Sequence, residues 1–336
     1  MRVGIARRRA VEIALFRVDY TFISRRLVIS HQRPLSLPQR SLIDRFLPAS
    51  WPRRIPGASS RYWLRATSVV LGTALALLAA IPASAQSKPN TTPPPISDNS
   101  FILEEAYNQE AGVVQHIFTY RRDREDAWLA TFTQEWPLGS QLDQLSYTLP
   151  LQSRGGAPEV IGAAFGDLAI NYRRQVLGRD EEPVWFAPRL SLVLPTGSVR
   201  KGTGAGGLGV QFNLPLSVRV NRALVTHWNA GASITRAENA LDRKSTVRSV
   251  AAGASAIWLL APTFNLMLES LWDRTEVLDD LGARVALDHF VILPGVRGAI
   301  NLRELQIVPG IGVPIGIGPS KGERDLFLYL SFEHPF

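Results

Sequence analysis

The 336-residue chain contains no cysteine. That absence excludes disulfide staples, thiolate zinc sites, iron–sulfur clusters and cysteine nucleophiles. It suits a cell-envelope protein. Histidine is scarce, at five residues. None of His116, His227, His289 and His334 has a partner at H-x-x-x-H spacing, so no metal is expected from spacing alone. A long hydrophobic run is missing too. The apolar stretch at 69–80 has 12 residues, short of the roughly 20 that a membrane-spanning helix needs. Surplus positive charge is absent from the body of the chain. The net +8 divides into +11 over residues 1–85 and −3 over 86–336. A nucleic-acid-binding body loses its electrostatic support, and no nucleic-acid partner is expected.

What is present first is an address. "RYWLRATSVVLGTALALLAAIPASAQ" joins the basic Arg61 and Arg65, the apolar stretch 69–80, and the small-residue triplet Ala83-Ser84-Ala85. That order describes a secretory signal peptide cleaved after Ala85. Residues 1–60, rich in Arg and Pro and without a sustained period, are expected to be an over-extended start or a disordered extension. A genuine long n-region is the alternative. Residues 86–99, "QSKPNTTPPPISDN", read as an extended, mobile Pro-rich linker.

From residue 112 onward the pattern alternates. In "QFNLPLSVRV" Phe212, Leu214, Leu216, Val218 and Val220 share one face, while Gln211, Asn213, Ser217 and Arg219 share the other. Successive strand side chains point to opposite sides, so each such segment has an apolar and a polar face. Twelve segments are expected, at about 112–120, 127–136, 142–151, 166–176, 185–195, 207–220, 222–236, 247–260, 263–275, 287–301, 304–317 and 325–336. Many have 10 or more residues, the length a tilted strand needs to cross a bilayer. Most even-to-odd links are tight and most odd-to-even links are longer, as in outer-membrane barrels. The expected fold is all-β: a transmembrane antiparallel up-and-down β-barrel of about 12 strands over residues 100–336. A soluble sandwich or lipocalin-like barrel also alternates, with its apolar face inward. Strand length and loop asymmetry favour the membrane barrel.

Little chemistry is visible. "GAGGLG" (204–209) satisfies a dinucleotide-binding pattern, but an alternating segment with Pro215 follows where a helix would be needed. It reads as a flexible loop with turn glycines. A hydrolase would need a pair such as Ser233 near His227, or Asp288 near His289, and nothing in their spacing favours this. No enzyme and no cofactor are expected. Glu104, Glu105 and Glu110 form an acidic cluster, read as a solvated lead-in in preference to a segment folded against the barrel mouth.

The polar face supplies a candidate lumen lining: Asp167, Asn171, Arg173, Arg189, Asn213, Arg219, His227, Glu269, Arg297 and Asn301. Such mixed charge suits either a wet pore or a barrel closed by its own side chains.

Several segments together resemble a known family: "NSFILEEAYNQEAGVVQHI", "TQEWPLGSQLDQLSYTLP", "FGDLAINYRRQ", "APRLSLVLPTG", "GVQFNLPLS" and "LYLSFEHPF". They look like the bacterial outer-membrane proteins labelled after the MetA pathway of phenol degradation, often called transporter-like. The resemblance covers about residues 99–336. It implies a β-barrel that passes small hydrophobic or aromatic molecules, and it implies no catalytic residue. The expected function is an outer-membrane channel, with a closed structural or ligand-binding barrel as the alternative. The expected partners are outer-membrane lipids, a small-molecule solute and the barrel-assembly machinery. The last strand, with Phe332 and the terminal Phe336, resembles the signal that machinery reads.

Overall fold

The computed structural model describes residues 96–153, 162–178, 182–302 and 305–335. The N-terminal extension, the signal peptide, residues 86–95 of the linker and Phe336 lie outside the described residues.

Twelve strands form one sheet among the described residues. They are β1 Val113–Arg122, β2 Trp128–Leu138, β3 Ser140–Ser153, β4 Ala164–Phe165 with Leu168–Arg174, β5 Val184–Phe186 with Arg189–Leu194, and β6 Gly209–Asn213 with Leu216–Asn221. Then follow β7 Leu224–Glu238, β8 Lys244–Ala261, β9 Phe264–Leu278, β10 Arg284–Gly298 with Ile300–Leu302, β11 Leu305–Gly312 with Ile315–Gly316, and β12 Leu326–Pro335. Each of the twelve expected segments corresponds to one of these strands. Sequence neighbours pair antiparallel, and β12 pairs with β1 from Val113↔Pro335 to Arg122↔Leu326, which closes the barrel. Prolines set the interruptions. Pro188, Pro215 and Pro314 lie in the breaks in β5, β6 and β11, because proline has no N–H to give the ladder. Ala187 N–H to the Pro215 carbonyl and Val313 N–H to the Pro294 carbonyl carry the pairing past two of them.

The sidedness is that of a membrane barrel. Asn171 and Ser191 face inward at 3% and 1% exposure, whereas their outward neighbours Leu190, Phe212 and Trp228 stand 53%, 45% and 52% exposed. Ile170, Leu192, Val210, Ile234, Val250, Leu266, Leu268 and Leu328 extend this outward apolar belt. Leaving such a side chain in water forgoes about 1.5–3 kcal/mol each. A continuous belt of that kind is tolerated only against lipid. The soluble barrel, apolar inside, is thereby excluded.

One end, which we call the terminus end, has short links. Gly139 (φ 71) turns β2 into β3, and residues 222–223 and 262–263 join β6 to β7 and β8 to β9, while the β4–β5 link at 175–183 is the longer exception. At the far end the loops after β7 and β9 are shorter than expected, because the strands run on to Glu238 and Leu278. Three far-end turns repeat one device. Asp123, Asn239 and Asp279 each accept, through one side-chain oxygen, the N–H groups two and four residues on. The residue between those donors has positive φ: Asp126, Asp242 or Gly282, the types that tolerate it. "GAGGLG" does not form a flexible loop. Asp167 accepts from Gly197 N and Ala205 N, and Ala205 packs with Ala237, Val247 and Leu278.

Candidate functional site

The lumen is not empty at the terminus end. Residues 96–110 enter it without regular secondary structure, and Ile96, Asn99, Ser100, Phe101, Ile102, Leu103, Glu105, Ala106 and Asn108 are all buried there. The acidic lead-in is therefore a plug, contrary to the expectation of a solvated segment. Only Glu110 of its three carboxylates is exposed. The linker also ends earlier than expected, since Ile96 N–H already bonds the Pro262 carbonyl between β8 and β9.

A buried segment without helix or strand must place its backbone N–H and C=O groups elsewhere. The barrel wall takes them with side chains. Glu269 on β9, fully buried, accepts from Phe101 N at 2.6 Å and Ile102 N at 2.9 Å. Asn229 on β7 pairs with Glu104 as a strand would, accepting from its N–H and donating to its carbonyl. Asn213 on β6 donates to the same Asn229 oxygen. Arg173 on β4 donates to the carbonyls of Glu105 and Tyr107 and to Asn108 Oδ1. Arg297 on β10 and Asn265 on β9 both donate to the Ser97 carbonyl. Gln175 and Gln144 accept from Asn108 N and Gln109 N.

His227 completes this frame. Its Nε2 lies 2.9 Å from the Asp98 carbonyl, which can only accept, so Nε2 carries the proton. Nδ1 then accepts from Ser217 Oγ at 2.7 Å, and Ser217 Oγ accepts from Ala106 N. Both ring nitrogens are engaged in holding the plug, so His227 is not a free base for Ser233. His289 meets Asp273 at 3.2 Å and Glu323 at 3.1 Å, whereas Asp288 is more exposed and pairs with Arg274.

Charge follows the same pattern. Arg189 on β5 meets Glu104 Oε1 at 2.9 Å and also donates to Asn171 and Gln211. Arg173 lies 3.7 Å from the Glu105 carboxylate and 3.8 Å from that of Glu135. Burial pushes the Glu105 carboxyl above its ordinary range, with Arg173 opposing. Burial also pushes the Tyr107 phenol well up, so it stays protonated and donates to Asp98.

The apolar half of the plug is a socket for Phe101. Its ring, 1% exposed, packs on Phe327 at 5.2 Å and Tyr329 at 5.4 Å between centroids. The adjoining wall is made of glycines, Gly310 and Gly312 pairing directly with Tyr329 and Phe327, and Gly295 with Gly312. A Cβ at Gly295 or Gly310 would fall 2.5 or 2.7 Å from the ring, and one at Gly312 would fall 3.3 Å away. Leu103 uses Gly253 in the same way, at 2.5 Å.

The barrel shares its fold with a solved outer-membrane channel. That structure, the COG4313 outer membrane channel from Pseudomonas putida F1, superposes with a TM-score of 0.52 at 14% identity, over 69% of this chain and 98% of that one. A likeness at that identity speaks to fold alone. The NanC porin superposes more loosely, with a TM-score of 0.43 at 7% identity, over 66% of this chain and all of the other. No family model and no curated relative matches the chain.

The expected lining residues divide by position. Asn171, Arg173, Arg189, Asn213, His227, Glu269 and Arg297 are buried inside the barrel, each bonded to the plug or to a residue that is. Asp167 instead caps the 197–205 loop. Arg219 is exposed with its guanidinium 5.0 Å from the Trp185 ring centroid. Asn301 accepts from Gln306 across the end of β10 and β11. Phe332 faces outward, stacked 4.7 Å from His116. Sequence reasoning missed Gln144, Asn265 and the socket glycines. The inward glycines of β11, in "PGIG", carried a legible signal: glycine inside a strand often marks a close approach.

Proposed function

We propose that the protein is an outer-membrane channel for small molecules, closed at the terminus end by residues 96–110 and opened when that segment withdraws. The observation that carries this reading is the plug's attachment. It is held to the wall by hydrogen bonds, ion pairs and one aromatic socket, its chain joins the barrel at residues 111–112, and among the described residues it shares no strand pairing. A segment held that way can leave without breaking the sheet.

The lumen has two unlike walls, and the seated plug covers the apolar one, where Leu271, Leu293 and Phe327 cluster with Phe101, Ile102 and Leu103. Thr119, Thr131, Thr133, Thr148 and Ser191 give β1 to β5 a hydroxyl lining. Leu271, Val291, Leu293 and Phe327 give β9, β10 and β12 an apolar one. This supports solutes with an apolar or aromatic face and a polar edge, in keeping with the family that the sequence resembles.

Planar bilayers test the channel. The mature protein should show rare openings, and a chain lacking residues 96–110 should show steady conductance. A barrel that stays sealed after that deletion overturns the channel and favours a closed structural or ligand-binding barrel. Liposome flux of phenol or benzoate against a sugar of similar size then tests the solute class.

A further inference from the structure

The seam between the first and last strands carries a feature unrelated to the plug. His116 on β1 and His334 on β12 both face outward near the terminus end. Their Nε2 atoms lie 3.1 Å apart, with ring centroids 5.1 Å apart and planes 21° from parallel. The His334 Nδ1 is 2.9 Å from the Pro335 carbonyl. A carbonyl only accepts, so Nδ1 carries that ring's proton and Nε2 presents a lone pair toward His116. Fixing one imidazole nitrogen on a backbone carbonyl is how proteins set the tautomer of a metal-ligating histidine.

The spacing suits one ion between two rings. A tetrahedral zinc ion holding two imidazole nitrogens at about 2.0–2.1 Å sets them about 3.3 Å apart. The rings are held in place before any ion arrives. Phe332 stacks on His116 at 4.7 Å and Phe132 at 6.1 Å. Gln134, which faces His116 across the sheet, already accepts from Tyr147 Oη. Without an ion, His116 Nε2–H donates to His334 Nε2; when a cation binds, that proton moves through solvent to His116 Nδ1, and both Nε2 lone pairs face the ion.

We propose that His116 and His334 form a two-imidazole site for a divalent transition-metal ion, zinc or copper, that clamps β1 to β12 across the barrel's closing seam. The other coordination positions are open to water. Imidazole nitrogen favours these metals over magnesium or calcium, so the clamp discriminates by ligand type.

The test uses untagged mature protein in detergent, freed of metal by chelation. Copper(II) added at one equivalent should give an electron paramagnetic resonance spectrum split by two nitrogens, which requires no variant. Zinc should raise the temperature at which the folded, heat-modifiable gel band is lost. The variants His116→Gln and His334→Gln should each bind zinc at least tenfold more weakly and lose that shift, while still migrating as folded barrels. A copper spectrum with one nitrogen or none overturns the proposal. So does a zinc effect that persists in the double variant.

Discussion

Replacing Phe101 by alanine tests whether its socket latches the plug. The ring is 1% exposed and packs on Phe327 and Tyr329 and on the adjoining glycine backbone of Gly295, Gly310 and Gly312. Removing a ring from such a site costs about 3–5 kcal/mol. The strands are hydrogen-bonded to one another independently of residues 96–110. The loss therefore falls on the docking equilibrium and not on closure of the sheet. At about 1.4 kcal/mol per tenfold, the undocked population should rise by roughly two to four powers of ten. Single-channel recording reads this as the fraction of time open, and brief protease treatment reads it as cleavage between residues 96 and 110. Gly310→Val fills the floor of the same socket, where even a Cβ would sit 2.7 Å from the ring, and should open the channel as well. If both variants assemble normally yet keep the wild-type open fraction, Phe101 is not the latch.

Glu269→Ala should leave Phe101 N–H and Ile102 N–H buried without their acceptor, at about 1–3 kcal/mol each. Its open fraction should exceed that of Glu269→Gln, which keeps one acceptor oxygen, and recording both variants checks the order. Leu190→Lys puts a charge in the outward belt, where Leu190 is 53% exposed. Near the bilayer midplane this should cost about 2–4 kcal/mol, read as a lower denaturant midpoint in lipid vesicles, and an unchanged midpoint would contradict the belt. Burial raises the Glu105 carboxyl above its ordinary 4.5, against the pull of Arg173. The stability that Glu105 contributes is then full below 4.5 and is lost as pH rises through the raised value. Openings should become more frequent as pH rises from 4.5 through that raised value, with a slope that Glu105→Gln reduces.

The strands were legible because one physical constraint repeats along them. A two-faced wall between lipid and a polar interior forces alternation at every residue, and twelve alternating segments survive local noise such as Pro150, Pro294 and Pro309. The polar half of the site was legible for the same reason: Arg173, Arg189, Glu269 and Arg297 break an otherwise apolar or neutral pattern. Their partner was not legible. Residues 96–110 have no period, and their buried state depends on wall groups from β3 to β7, β9, β10 and β12 at once. Composition alone suggests that Glu104 and Glu105 are solvated. Nothing local indicates that Arg189 and Arg173 lie beside them, at sequence separations of 85 and 68 residues. Asp167, Arg219 and Asn301 lie next to strand interruptions or strand ends. There the alternation that places a residue inside the barrel no longer decides what it touches.

The two kinds of contact at the plug differ in what water can replace. Arg173, Arg189, Asn229, Glu269 and Arg297 exchange one set of hydrogen bonds for another when the plug leaves and water enters. The net loss per bond is then about 0.5–1.5 kcal/mol for a neutral pair and about 1.5–3 kcal/mol where one partner is charged, below its gross strength. The Phe101 ring has no such substitute, because exposing it loses the burial term outright. A wall rich in charge therefore keeps the plug in register while leaving exit accessible. It does so largely by binding the plug's backbone: Ser97, Asp98, Glu105 and Tyr107 are gripped through carbonyls, and Phe101, Ile102 and Ala106 through N–H groups. Backbone recognition sets position and says little about side-chain identity. Identity enters mainly at Phe101, where three inward glycines from two strands make room for a ring. The lumen charges that read in sequence as a conduit lining thus act first as the docking frame of a removable segment, and the socket sets how often that segment stays.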